Sequence, residues 1–170
     1  MTDIVVRRAR PDDVEFLLEL VNDPDVQPFL GARAAYDRDA LLGQIERSER
    51  EPDAYGRFVI EADGERAGTV AFERANERSR IASLGGLALQ PRFRGRGIAD
   101  DAARQFARHL LLELGFHRLE LEIYGFNERA QRHAERVGYV REGVKRKAYW
   151  RHDDWADGVL YSLLVDDLES

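Results

Sequence analysis

The sequence predicts a mixed α/β fold: one domain spanning residues 1–170, with a central, mixed but mostly antiparallel sheet flanked by helices. Three observations carry this expectation. The apolar run at residues 81–89 gives way at Gly97 to a helical period, with Ala99, Ala102, Ala103, Phe106, Leu110 and Leu114 sharing a face. Strand-like alternation returns at 119–124, and strand–helix–strand order continues to residue 165. Upstream, Asp63-Gly64 separates two alternating segments, a hairpin signal because glycine tolerates positive φ.

In chain order, residues 4–8 alternate as a short strand. Pro11-Asp12-Asp13 opens a helix on which Val14, Leu17, Leu18 and Val21 recur at helical spacing, and Asn22-Asp23-Pro24 ends it. Residues 37–49 read as a second amphipathic helix with Leu41, Leu42 and Ile45 inward. Strands at 58–62 and 66–73 form the hairpin, 76–79 is a polar turn, and 81–89 is apolar enough for the middle of a sheet. Gly115 stops the long helix. A further helix covers 128–137 and closes at Gly138, and the last strands are 139–144 and 159–165.

Composition narrows the chemistry. Hydrophobic residues make up 44% and charged residues 34%, the balance of a soluble globular chain. No apolar run reaches the ~20 residues of a membrane helix, and the N-terminus lacks the basic and apolar regions of a signal peptide. A cytoplasmic protein without a membrane partner is the expectation. The absence of cysteine removes thiolate nucleophiles and thiolate metal sites, and four dispersed histidines do not make a metal centre. A net charge of −6 argues against nucleic acid and suits a cationic small substrate.

The candidate site begins where strand becomes helix, at Leu87-Ala88-Leu89-Gln90-Pro91-Arg92-Phe93-Arg94-Gly95-Arg96-Gly97-Ile98-Ala99. The first N–H groups of a helix and its dipole make an anion site. Gly95 and Gly97 let the backbone approach a pyrophosphate, and Arg92, Arg94 and Arg96 add positive charge. A surface turn with solvated arginines is the bland alternative. No Gly-Lys-Ser/Thr follows, so this is not a Walker A loop, and Asp100 replaces the third glycine of a dinucleotide fingerprint.

Arg92-Phe93-Arg94-Gly95-Arg96-Gly97 resembles the Arg/Gln-x-x-Gly-x-Gly/Ala signature of the GNAT superfamily of N-acetyltransferases. Downstream, Asn127-Glu128-Arg129-Ala130, Ala134 and Val137-Gly138-Tyr139 are similar to the family's Asn-x-x-Ala/Ser segment leading to Gly-Phe/Tyr. The ending, Arg141-Glu142-Gly143-Val144 and 155–164, resembles the branch of ribosomal-protein alanine N-acetyltransferases. The resemblance implies acetyl-CoA as co-substrate and no metal. It implies that Leu87, Ala88 and Leu89 contact the pantetheine arm, and that Arg92, Arg94, Gly95, Arg96, Gly97, Ile98 and Ala99 cradle the pyrophosphate. Asn127 is implied at the pantetheine or acetyl region, a role compatible with capping the helix that follows.

The reaction needs a neutral amine, hence a proton acceptor, and donors for an oxyanion. Glu73 is the candidate base, with an exposed strand-end carboxylate as its bland reading; Glu142 is a second candidate. The Leu87 N–H is the expected oxyanion donor. Many family members carry a tyrosine where this chain has Ala134, so water, Tyr149 or Tyr161 is left to protonate the thiolate. His133 reads as a solvent-facing or half-buried side chain. Tyr149, Trp150 and Trp155 read as packing or as an acceptor pocket, and these aromatics also suit a homodimer contact. The acceptor is a primary amine on a protein N-terminus or a small molecule. Two other classes stay open: a non-catalytic acyl-CoA sensor and a nucleotide-binding module using the same loop.

Overall fold

A computed structural model describes residues 1–30 and 36–169. Seven strands follow the order β1-β2-β3-β4-β5-β7-β6: β1 Ile4–Arg8, β2 Tyr55–Ala62, β3 Glu65–Asn76, β4 Ile81–Leu89, β5 Arg118–Tyr124, β6 Val140–Arg151 and β7 Asp154–Leu164. The helices are α1 Val14–Val21, α2 Arg38–Arg50, α3 Ile98–Arg108 and α4 Glu128–Arg136. β4 and β5 pair in parallel, whereas β1/β2, β2/β3, β5/β7 and β6/β7 are antiparallel. The expected mixed, mostly antiparallel sheet is the one observed, and β4 holds its middle place. The chain falls into two compact units, Met1–Arg74 with Leu84–Phe106, and Ala75–Ser83 with Ala107–Ser170.

In the first unit, β2 and β3 meet at Asp63-Gly64, where φ is 50° and 82°, so both central turn residues are left-handed. Side chains alternate along β2 and divide the core. Val59 joins Val14, Leu17 and Val21 of α1 and Leu41 and Ile45 of α2. Phe58, one residue earlier, meets Phe106 of α3 edge-on at 4.9 Å, with Phe72 of β3 beside both. The Asp37 carboxylate caps α2 by accepting from the Ala40 N–H at 2.7 Å.

The second unit departs from the sequence reading in two places. After α3 the chain makes a π-helical turn, His109–Glu113, in which the Leu114 N–H reaches the His109 carbonyl at 3.1 Å. The wider turn brings Leu110 and Leu111 inside together, and Leu114 is only half-buried. Strands β6 and β7 are also longer than expected. They meet at His152-Asp153, where φ is 53° and 60°, a left-handed turn built without glycine. Lys147, also left-handed, accompanies a register shift between Lys145 and Tyr149.

Candidate active site

β4 reaches the loop through Gln90, whose N–H donates to the Ala67 carbonyl at 2.9 Å, and Pro91–Phe93 then form one 3-10 turn. Phe93 is buried and anchors the loop. The guanidinium of Arg92 lies 4.2 Å from its ring centroid, and that of Arg96 lies 5.6 Å away. Gly95 and Gly97 adopt φ of 74° and 76°, conformations that L side chains rarely hold. A Cβ placed at either would meet nothing within 4 Å, so the backbone here borders open space. α3 starts immediately after, its first intrahelical bond running from the Asp101 N–H to the Gly97 carbonyl at 3.2 Å. The N–H groups of Ile98 and Ala99 precede that bond, at the end of the helix where backbone donors point outward.

The three arginines differ. Arg92 is tied to Glu65 at 3.0 Å. Among the described residues neither Arg94 nor Arg96 has a carboxylate partner; Arg94 Nη2 reaches only the Asp25 carbonyl, at 3.5 Å. Two uncommitted guanidinium charges beside a helix N-terminus and two left-handed glycines form a phosphate-binding geometry. Gln90 was not singled out from the sequence. Its Oε1 is buried and, among the described residues, has no hydrogen-bond partner. An orphaned acceptor of this kind fits a ligand bearing amide N–H groups, as pantetheine does.

On the second unit, the Asn127 side chain accepts from the Ala130 N–H at 3.2 Å and caps α4. The family tyrosine position is occupied by the buried Ala134. Glu142 accepts from Arg118 Nη1 and from the Ser162 hydroxyl, both at 2.9 Å. These donors pull its carboxyl down to about 2, which makes it a poor base at neutral pH. The Tyr149 hydroxyl donates to Glu122 Oε1 at 2.6 Å, and that bond, with partial burial, raises the phenol to about 12. Tyr161 is buried and donates to Glu135 Oε1 at 3.1 Å; burial and the carboxylate both raise its pKa. Trp150 and Trp155 stay more than half exposed and pack edge-to-face, ring centroids 5.1 Å apart, across the β6–β7 hairpin. His133 is half-buried.

Glu73, near the end of β3 in the first unit, is exposed and accepts from Arg47 Nη1 at 2.9 Å. Arg47 in turn lies over the Tyr55 ring at 4.6 Å.

The chain is an acyl-CoA-dependent N-acetyltransferase by family. A family model described as acetyltransferase (GNAT) domain matches residues 3–140, and the chain belongs to that family. Among curated relatives, YdaF of Bacillus subtilis (strain 168), provisionally named a ribosomal N-acetyltransferase, is 27% identical across 98% of this chain and 93% of its own length. The spermidine N(1)-acetyltransferase of Escherichia coli (strain K12) is 25% identical over 82% of this chain and 74% of its own. The fold matches that of Vibrio cholerae spermidine N-acetyltransferase, solved in complex with CoA and spermine. The TM-score is 0.89 at 20% identity, and the match covers 98% of both chains.

Proposed function

We propose that residues 1–170 act as one N-acetyltransferase domain that moves the acetyl group of acetyl-CoA directly to a primary amine, on a protein N-terminus or a small molecule. The observation that carries this reading is the loop itself: left-handed Gly95 and Gly97 over open space, with Arg94 and Arg96 holding no acid partner among the described residues. In this reading Arg92, Arg94, Gly95, Arg96, Gly97, Ile98 and Ala99 receive the pyrophosphate. Leu87, Ala88 and Leu89 receive the pantetheine arm, Asn127 contacts the pantetheine or the acetyl region, and Gln90 Oε1 accepts one of the pantetheine amide protons.

The neutral amine attacks the thioester carbonyl, a C–N bond forms as the C–S bond breaks, and CoA leaves as thiolate. The Leu87 N–H donates to the oxyanion. Glu73 first takes a proton from the acceptor ammonium to give that neutral amine, and the proton the nitrogen sheds as the C–S bond breaks passes through solvent to the thiolate. The bond of Glu73 to Arg47 does not prevent the first transfer, because exposed ion pairs are worth only about 0–1 kcal/mol and open readily. A homodimer contact through Trp150 and Trp155 accompanies this proposal, since the pair presents two exposed indole rings.

The test is calorimetric titration with acetyl-CoA beside ATP and NAD, followed by thiol release with an amine panel. Binding of acetyl-CoA alone and amine-dependent thiol release are expected. No affinity for acetyl-CoA would remove the loop assignment, and binding without release to any amine would remove the catalytic one.

A further inference from the structure

Arg57 stands in the middle of β2 with 6% of its surface exposed, on the face of the strand opposite Phe58. A buried guanidinium ordinarily sits against a carboxylate, because desolvating the charge is costly. Here, among the described residues, no acid pairs with it. Nε and Nη2 donate to Gln44 Oε1 at 3.2 and 2.9 Å. Nη1 donates to Thr69 Oγ1 at 3.3 Å. The Thr69 hydroxyl spends its own proton on the Phe58 carbonyl at 2.7 Å, so it serves Arg57 as acceptor. The phenol of Tyr55 also hydrogen-bonds the guanidinium. The partners of the guanidinium, Gln44, Thr69 and Tyr55, are thus all neutral oxygens, and none among the described residues cancels its charge.

The structure also leaves an approach to Arg57 Nη1. Gly86 of β4 has φ of 66°, and a Cβ built on it would lie 3.3 Å from Arg57 Nη1, with no other non-neighbouring atom within 4 Å. Gly85, beside it, is exposed, and a Cβ there would meet nothing. Two consecutive residues without side chains thus open a window from solvent onto a buried, uncompensated cation. Leu87, whose N–H the proposed mechanism gives to the oxyanion, follows directly.

We propose that Arg57 is an anion-recognition residue that receives a carboxylate of the acceptor through the gap at Gly85-Gly86. The inference rests on the acetyltransferase reading and names its substrate class: amines that also carry a carboxylate, as in an amino acid or an acidic peptide N-terminus. It disfavours polyamines, because an uncompensated guanidinium repels a second cation and offers a carboxylate a charge-assisted bond in a dry setting.

The experiment compares matched acceptors that differ only in that charge, namely alanine with alaninamide and Ala-Asp-Ala-amide with Ala-Asn-Ala-amide. kcat/KM for acetyl transfer is measured for each, with spermidine alongside. The carboxylate member of at least one pair is expected to be favoured about tenfold or more. That preference should fall toward unity in Arg57→Met and in Gly86→Ala, whose methyl group would stand in the window, and persist in part in Arg57→Lys. Acetyl-CoA affinity, read separately by calorimetry, should be unchanged in all three variants.

Should turnover be slow, the CoA-loaded protein is titrated with N-acetylalanine and with its amide, and tighter binding of the acid is expected. No charge preference in either measurement, no binding of either compound, or spermidine as the best acceptor would overturn the proposal while leaving the acetyltransferase reading intact. Loss of acetyl-CoA binding by the unaltered protein would overturn the latter instead. If Arg57→Met fails to fold, the wild-type ratios and Gly86→Ala still decide.

Discussion

Arg7 grips the fully buried carboxylate of Asp13 with both terminal nitrogens, Nη1 to Oδ2 at 2.8 Å and Nη2 to Oδ1 at 2.9 Å. Arg66 Nε adds a bond at 2.7 Å and the Arg10 N–H another at 2.7 Å. The cluster ties β1 to the turn that starts α1 and to β3. Removing Asp13 leaves two guanidinium groups partly desolvated without their acceptor. Asp13→Ala is expected to cost about 3–5 kcal/mol, the range for breaking a buried ion pair. Denaturant midpoints at pH 7 check this, and a loss below about 1 kcal/mol would contradict it.

The same carboxylate predicts how stability depends on pH. Burial alone would raise its pKa, but the bonds from Arg7, Arg10 and Arg66 together win and hold it well below the usual carboxylate range. In the unfolded chain Asp13 titrates near 3.9. The folded value lies lower, so the stabilisation is complete above the unfolded pKa and is lost as pH falls through the folded one. The wild type is expected to lose stability steeply below about pH 4, and Asp13→Asn to follow a flatter curve over that interval. Parallel curves would mean that other carboxylates dominate.

At the loop, Gly97→Trp should abolish acetyl-CoA binding and leave a folded protein. The indole would enter the open space beside the helix N-terminus and exclude a phosphate. The left-handed φ of 76° adds a cost of about 1–2 kcal/mol, affordable for a domain stable by about 5–15 kcal/mol. Calorimetry and circular dichroism together check both halves, and unchanged affinity would dismiss the cradle.

How much of this was legible in the sequence depends on how local each signal is. The glycine loop, the Asp63-Gly64 turn and the Asn127 cap are set by a few consecutive residues, and the structure has the local conformations read from them. Other features arise from distant neighbours. The β6–β7 hairpin hid because its turn uses His152 and Asp153 in a conformation that favours glycine, amid a charged stretch. Leu110 is buried as its spacing indicated, but the π turn brings Leu111 in beside it and leaves Leu114 half-buried, which no 3.6-residue period anticipates; at the helix start Ile98 rather than Ala99 is buried. Arg57 lies just outside the strand read at 58–62, and its burial is explained by Gln44, Thr69 and Tyr55, which the sequence does not place beside it.

Arg94→Glu is expected to weaken CoA more than a pantetheine analogue lacking the phosphates. Arg94 has no acid partner among the described residues, so its charge is available to a ligand, and reversal replaces attraction by repulsion. A loss of about tenfold or more for CoA, shrinking with added salt, fits a partly exposed phosphate contact. Equal losses for both ligands would remove Arg94 from the phosphate site.

Glu73→Gln tests the proton acceptor. A general base contributes about 10²–10⁴ in rate, so kcat/KM at neutral pH should fall by about 10² or more with acetyl-CoA affinity unchanged. The loss should diminish as pH rises and more of the amine arrives neutral. Arg47→Ala removes the ion-pair partner and should leave activity within a few-fold, since exposed pairs carry little energy. A Glu73→Gln enzyme of full activity would hand the step to solvent.

Tyr149 is a weak candidate for the acid that protonates the departing thiolate, and the reason is quantitative. Its hydroxyl is held by Glu122 and titrates at about 12, whereas a thiol titrates near 8.5. Moving the proton from phenol to thiolate therefore runs uphill, and a thiolate near neutral pH collects a proton from water without help. Glu142 fails as a base for the converse reason, since Arg118 and Ser162 bring it down to about 2. Tyr149→Phe and Glu142→Gln should each leave kcat within about threefold of wild type and leave its pH profile unmoved. A drop of about 10² in kcat for Tyr149→Phe, with KM unchanged, would show that the phenol does donate and that acetyl-CoA binding displaces Glu122 from it.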